Sequence, residues 1–258
     1  MVASVYPVAF AAEQMADPSW EVIDLTPPGV EAHDLELTLE QRSAIEDADF
    51  VIYLGEIGFQ PQVEHAIAEA EGRVIDLSLD LEVRNGVTDP HIWLNPETFG
   101  TIGNVLVQEV ICPFDDPCTE ERHLKVRAFE ERLDALGRTF YEGLMDCRYD
   151  TMVVTHEAFG YLQEFYGLKQ FGLSGLTPEA EPTSERLTQA RGLIESGEAG
   201  AVFYEARGED ADAGTTLAAD LGVPALPLDT LESQPPAGDY FTVMESNLES
   251  LREGLQCQ

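Results

Sequence analysis

Basic residues are scarce. The chain of 258 residues has 14 Lys+Arg against 49 Asp+Glu, a formal net charge of −35, and Lys125 and Lys169 are its only lysines. Phosphate recognition needs a basic face, so nucleic-acid binding is excluded. Long apolar runs are also missing. Nothing approaches the about 18 apolar residues that a membrane-crossing helix requires. Met1-Val2-Ala3-Ser4-Val5-Tyr6 holds no charged-then-apolar leader and reads as the start of a first strand. Export would therefore need a signal or lipid anchor outside this sequence. No CxxC pair or zinc-ribbon spacing joins the four cysteines, no HExxH occurs, and no serine sits in a nucleophile elbow. Those gaps leave dithiol redox chemistry and the common hydrolase motifs without residues to carry them. Internal repeats and low-complexity tracts are absent too.

What is present is a folding chain. Hydrophobic residues make up 44%, which argues against an acidic disordered segment. The acidic excess is spread evenly rather than gathered in a tail, as in a protein kept soluble in high salt, where screening weakens self-repulsion. That pattern points to a halophile. Cys112 and Cys118 bracket a short proline-flanked turn, which suits a local bridge. Cys147 precedes a strand and Cys257 lies at the C-terminal end, so a bridge there would pin the tail. Two disulfides would imply an oxidising compartment; the alternative is four buried thiols.

Strand-like segments at 21–25, 50–54, 74–77, 152–155, 170–173, 201–204 and 225–228 alternate with helix-like ones at 38–47, 61–70, 96–110, 157–166, 184–195 and 213–221. Thr38-Leu39-Glu40-Gln41 has capping-box spacing. Repeated strand–helix–strand order predicts parallel sheets with helices on their faces. Residues 119–145 break the alternation. Val126, Phe129, Leu133, Leu136, Phe140 and Leu144 recur at helical steps, one stripe on a helix of roughly 40 Å. The predicted fold is α/β, with two parallel-sheet lobes joined by that helix: residues 1–115, a connecting helix at 116–148, and residues 149–258.

Five histidines can be weighed one by one. His33 and His156 lie beyond the carboxyl ends of predicted strands, where open α/β sheets bind ligands. His91 is held between Pro90 and Pro96. Asp229 follows the strand at 225–228. Three imidazoles and one carboxylate form a ligand set for a tetrahedral divalent ion, with zinc the natural occupant; manganese prefers more oxygen donors. Two candidates come from each half, so the metal site is expected between the lobes. Glu205, at the end of the strand 201–204, is an alternative ligand or an orienting partner for an imidazole. His65 and His123 read as solvated surface residues. A zinc hydrolase built on the same three histidines plus a water would need a general base, with Glu157 and Glu205 the candidates. A binder of an organic cofactor or siderophore would instead show a wide pocket without converging histidines.

Several stretches carry a resemblance: Tyr6-Pro7, Pro27-Pro28-Gly29 leading to His33-Asp34, Asp89-Pro90-His91-Ile92-Trp93-Leu94-Asn95-Pro96, Thr155-His156-Glu157-Ala158-Phe159-Gly160-Tyr161, and Gly175-Leu176-Thr177-Pro178-Glu179-Ala180-Glu181-Pro182. Together they resemble the zinc/manganese (cluster A-I) substrate-binding proteins of ABC importers over essentially the whole chain. The resemblance implies extracytoplasmic capture of Zn²⁺ by a monomer and delivery to a membrane permease, without catalysis. It implies His33, His91 and His156 as ligands with Asp229 at the acidic fourth position. A histidine at 156, where manganese-preferring members resemble a glutamate, favours zinc over Mn²⁺. Two features depart from the pattern. Asp34-Leu35-Glu36-Leu37 follows His33 in place of a tyrosine and a proline, and no His-rich loop occupies 78–88.

Overall fold

The computed structural model describes residues 1–55, 57–78, 81, 83–84, 87–113, 118–176, 182–205 and 211–258. The chain divides into two compact units, Met1–Ala135 with Leu231–Tyr240, and Leu136–Thr230 with Phe241–Gln258.

In the first unit, β1 (Val2–Ala3), β2 (Ile23–Asp24), β3 (Phe50–Tyr53) and β4 (Arg73–Asp76) form a parallel sheet in the order β2-β1-β3-β4. The opening strand is shorter than its sequence suggests. It stops at Ala3, and α1 (Tyr6–Met15) begins with Pro7 in its first turn, where a missing N–H costs nothing. Its Val8, Ala9, Ala11 and Ala12 are all buried. A helix apolar on every side has no readable stripe, so periodicity cannot separate it from a buried strand. The capping box opens α2 (Leu39–Asp47) as the spacing predicts: Gln41 N–H donates to Thr38 Oγ1 and Thr38 N–H to Gln41 Oε1. α3 (Pro61–Ala66) tightens into a 3₁₀ turn at Ile67–Glu69. β5 (Val83–Arg84) and β6 (Val87–Thr88) pair antiparallel. Asn95 caps α4 (Pro96–Leu106), which widens into a π turn at Val107–Ile111.

The division between the units falls inside α5 (Glu120–Leu144), a helix of 25 residues. All six residues of its predicted stripe are buried. On the first unit's side, Phe129 packs edge-on against Phe10 and Phe99. Tyr240 lies against both of those rings and donates its hydroxyl to the Trp93 carbonyl at 2.6 Å.

The second unit repeats the scheme. β7 (Thr151–Val154), β8 (Lys169–Gly172), β9 (Val202–Tyr204) and β10 (Ala225–Pro227) form a parallel sheet in the order β10-β9-β7-β8. Each sheet thus places its first strand between its second and its third. The connections leave the first strand in opposite directions, which opens a crevice at the carboxyl ends of β1 and β3 and of β7 and β9. Helices α6 (Gly160–Tyr166), α7 (Ser184–Glu195) and α8 (Ala211–Leu221) run between the strands. α6 starts three residues later than predicted, because Glu157 N–H is drawn to the Gly175 carbonyl and Phe159 N–H to Gln170 Oε1. The sequence reading has no counterpart to α9 (Tyr240–Leu255), although Phe241, Met244, Leu248, Leu251 and Leu255 are buried at helical spacing. Gly254 lets this helix press against Phe203 of β9 and Leu226 of β10, where a Cβ would collide.

Both proposed bridges form, Cys112–Cys118 and Cys147–Cys257. The second spans a sequence separation of 110, encloses most of the second unit and seats the tail beside Cys147 in a β-bridge. Restricting the unfolded chain over so long a loop contributes about 5 kcal/mol, against about 2 kcal/mol for the short one. Replacing Cys147 and Cys257 together by serine should therefore lower unfolding stability in urea clearly more than replacing Cys112 and Cys118. Equal losses would show that loop closure is not the source of the stabilisation.

Candidate metal centre

In the first unit two of the predicted histidines meet around a carboxylate. His33 sits in a 3₁₀ turn, Ala32–Asp34, beyond the end of β2. His91 begins another, Ile92–Leu94, after the Asp89-Pro90 step. Between them lies Glu232. Its Oε1 is 3.4 Å from His33 Nε2 and 3.1 Å from His91 Nε2, and its Oε2 accepts the Ala32 amide at 3.1 Å. Asp89 Oδ1 takes the opposite nitrogen of His91, Nδ1, at 2.9 Å, and the His91 amide at 3.0 Å. All four side chains are buried, Glu232 to 3% exposure and His91 completely. A tetrahedral shell with bonds of about 2.0–2.1 Å has ligand–ligand edges of about 3.3 Å. The two Nε2–Oε1 separations are close to that edge.

Electrostatics tie the cluster together. Burial pushes the Glu232 carboxyl upward, but the His33 and His91 charges and hydrogen bonds win and hold it well below the usual carboxylate range. Burial likewise disfavours a charged His91; hydrogen bonds and charge from Asp89 and Glu232 overcome it and raise its pKa to about 9. Both neighbours of the ring are acceptors, so each nitrogen donates.

The second unit holds the third histidine. His156 follows β7 and is buried. Its Nδ1 lies 3.3 Å from Glu205 Oε2 and its Nε2 3.0 Å from the Leu176 carbonyl. Glu205, just past β9, receives a short hydrogen bond from Thr230 and donates its amide to Thr155 Oγ1. The pair thus occupies the β7/β9 crevice. Glu157, beside His156, turns instead to Arg186 Nη1 at 3.0 Å and the Gly172 amide at 3.2 Å. Asp229 also belongs to this unit; it is half-buried, and its amide and carbonyl are both bonded to the Asn247 side chain. His65 and His123 are exposed, each bonded to a carbonyl four residues back in its helix. Of the Glu-Pro stretch at 175–182, residues 177–181 lie outside the described residues.

Sequence reasoning missed Glu232. It sought an acid directly after the predicted strand at 225–228 and stopped at Asp229. The chain continues three residues further and turns at Leu231, buried and left-handed at φ 58°. A leucine carries no sequence signal for that conformation, which costs about 1–3 kcal/mol and clusters near functional sites. The available clue was a second acid, Leu231-Glu232-Ser233, within reach of the same strand end.

Known proteins share this architecture. The zinc-binding lipoprotein AdcA of Streptococcus pneumoniae is 28% identical over 277 residues, which take in 98% of this chain and 55% of AdcA. The chain therefore spans about half the length of that relative. The high-affinity zinc uptake system protein ZnuA of Bacillus subtilis is 26% identical over 283 residues, 99% of this chain and 87% of that protein. The crystal structure of the Zn(II)-bound ZnuA-like domain of S. pneumoniae AdcA superposes with a TM-score of 0.82 at 28% identity, covering 98% of this chain and 97% of that one. Residues 1–254 match the family described as ZnuA, zinc-uptake complex component A, periplasmic, and the chain belongs to that family.

Proposed function

We propose that this protein captures Zn²⁺ outside the cytoplasmic membrane and hands it to the permease of an ABC importer. One observation carries the reading: a buried carboxylate oxygen sits 3.1 and 3.4 Å from the Nε2 atoms of two imidazoles, the edge lengths of a tetrahedral zinc shell. We assign the ligands as His33, His91, His156 and Glu232, with Glu232 in the place that Asp229 held in the sequence reading. Glu205 orients His156 through Nδ1, as Asp89 orients His91. Three nitrogens and one carboxylate suit zinc better than Mn²⁺, which prefers oxygen-rich shells. The relatives' names, zinc-binding lipoprotein and zinc uptake protein, support the same cargo and location, and two disulfides fit an oxidising compartment. Among the described residues no helix is long and apolar enough to cross a membrane, so transport would rest on a separate permease. Hydrolysis is disfavoured because both candidate bases are engaged, Glu157 by Arg186 and Glu205 by Thr230.

Metal analysis of protein purified without chelator should find one zinc per chain, and Zn²⁺ should displace Mn²⁺ in competition. A preference for Mn²⁺ would overturn the metal assignment. Glu232→Gln should weaken Zn²⁺ binding by at least about tenfold, on the scale of lost metal-site partners, whereas Asp229→Asn should leave it near wild type. Chelator competition reads both, and the reverse order would return the fourth position to Asp229.

Acid and metal compete for His91. Its pKa in the metal-free fold lies near 9, above the ordinary histidine value of 6.5, so at pH 7 zinc must displace a proton from Nε2. Zinc affinity should rise with pH up to about 9, and calorimetry in buffers of different ionisation enthalpy should report proton release. Stability of the metal-free protein runs the other way. The folded state binds this proton more tightly than the unfolded one. Its contribution is therefore complete below about 6.5 and is lost as pH climbs through 9. Melting of the chelator-treated protein from pH 6 to 10 checks the sign.

A further inference from the structure

The histidines of the first unit are walled by two aromatic rings, Phe59 and Trp93. Phe59 stands edge-to-face with His33 at 4.6 Å between ring centres and 84°, and lies 6.2 Å from His91. Trp93 packs on His91 at 5.5 Å and meets Phe59 at 6.2 Å. Trp93 is fully buried and Phe59 is 3% exposed. The segment carrying Phe59 is fixed on both sides. Glu64 Oε1 accepts the Ile57 and Gly58 amides, with Gly58 left-handed at φ 78°. Gln60 Nε2 donates to the Ser4 carbonyl at 2.8 Å and to Thr26 Oγ1 at 3.2 Å. Through Gln60 the Phe59 ring is keyed to the carboxyl end of β1 and to the loop that leads to His33.

We propose that Phe59 is a specificity-determining residue that holds the bound metal at four ligands by denying space and hydrogen-bond partners to additional waters. The proposal rests on the zinc reading above and deepens it. A metal-bound water needs polar partners, and an aromatic edge supplies none. Zn²⁺ is satisfied by four ligands at tetrahedral geometry, whereas Mn²⁺ favours six with oxygen predominating. A dry wall against the two imidazoles therefore penalises Mn²⁺ beyond what the nitrogen donors already do. It also stops the His33 ring from swinging toward a wider shell.

The test uses Co²⁺ as a spectroscopic stand-in for zinc, together with chelator competition for Zn²⁺ and Mn²⁺, on wild type, Phe59→Ala and Phe59→Leu. Wild type should show the intense visible bands of four-coordinate Co²⁺. Phe59→Ala should weaken them toward a higher-coordinate spectrum and shrink the Zn²⁺/Mn²⁺ affinity ratio by about tenfold or more. Phe59→Leu, apolar and bulky, should keep both near wild type. Unchanged bands and ratio in Phe59→Ala would overturn the role of Phe59 while leaving zinc capture intact. Wild type that bound neither Zn²⁺ nor Co²⁺ would overturn the transport reading and this inference with it. Should Phe59→Ala not fold, as judged by its melt, Phe59→Val carries the same comparison. A five- or six-coordinate Co²⁺ spectrum in wild type would be decisive against the proposal by itself.

Discussion

The Glu232 carboxylate, buried against His33 and His91, is the contact on which the arrangement around it depends. Removing a carboxylate from water costs several kcal/mol unless opposite charge and hydrogen bonds replace the solvent. Here the replacement is supplied by two imidazoles and the Ala32 amide. The same substitution makes the group useful. An anion solvated by displaceable protons is already arranged as a ligand, and a divalent cation can take over the protons' work. His91 shows the exchange most directly: carboxylates on both of its nitrogens stabilise the cationic ring at neutral pH. On the zinc reading proposed above, the ion would take the place of that proton and hold the neutral ring through the freed lone pair.

Geometry of this kind needs a rigid frame, and the frame follows from strand order. Each four-stranded sheet reverses direction at its first strand, and the polar groups gather at the carboxyl ends beside that reversal. In the first unit the Ser4 carbonyl, Thr26 and Gln60 form a buried network there; in the second, His156 and Glu205 follow β7 and β9. Among the described residues two non-glycines are left-handed, Gln256 at the tail and Leu231, which precedes Glu232. The Leu231 side chain is fully buried, so apolar packing offsets a backbone conformation that leucine avoids.

Much of this was legible in the chain. The repeated strand–helix–strand order announced the parallel sheets, and the helical spacing of apolar residues announced the stripe of α5, because one face of that helix is buried. The histidines at 33, 91 and 156 were legible from their place after strands and among prolines. α1, apolar at nearly every position, has no counterpart in the sequence reading, which expects only a first strand at the start of the chain. α9 carries a stripe of buried residues at helical spacing. Glu232 was harder to read for a different reason: the chain turns just before it at the left-handed Leu231, and a leucine does not signal that conformation. Phe59 was invisible as part of the site because an aromatic beside a glycine is ordinary core until the imidazoles are placed around it.

The two halves also use one device twice. In the first unit Asp89 accepts from His91 Nδ1; in the second Glu205 lies against His156 Nδ1. A carboxylate on Nδ1 fixes the ring plane and raises the basicity of the imidazole. The partners are reached differently, Asp89 two residues before its histidine and Glu205 from a neighbouring strand of the sheet. Local sequence proximity therefore cannot explain both. What they share fits the proposed metal capture: an imidazole held still before an ion arrives spares binding the cost of ordering it. Two unrelated backbone routes thus reach the same Nδ1 contact, while the Nε2 atoms meet different acceptors, Glu232 Oε1 for His91 and the Leu176 carbonyl for His156.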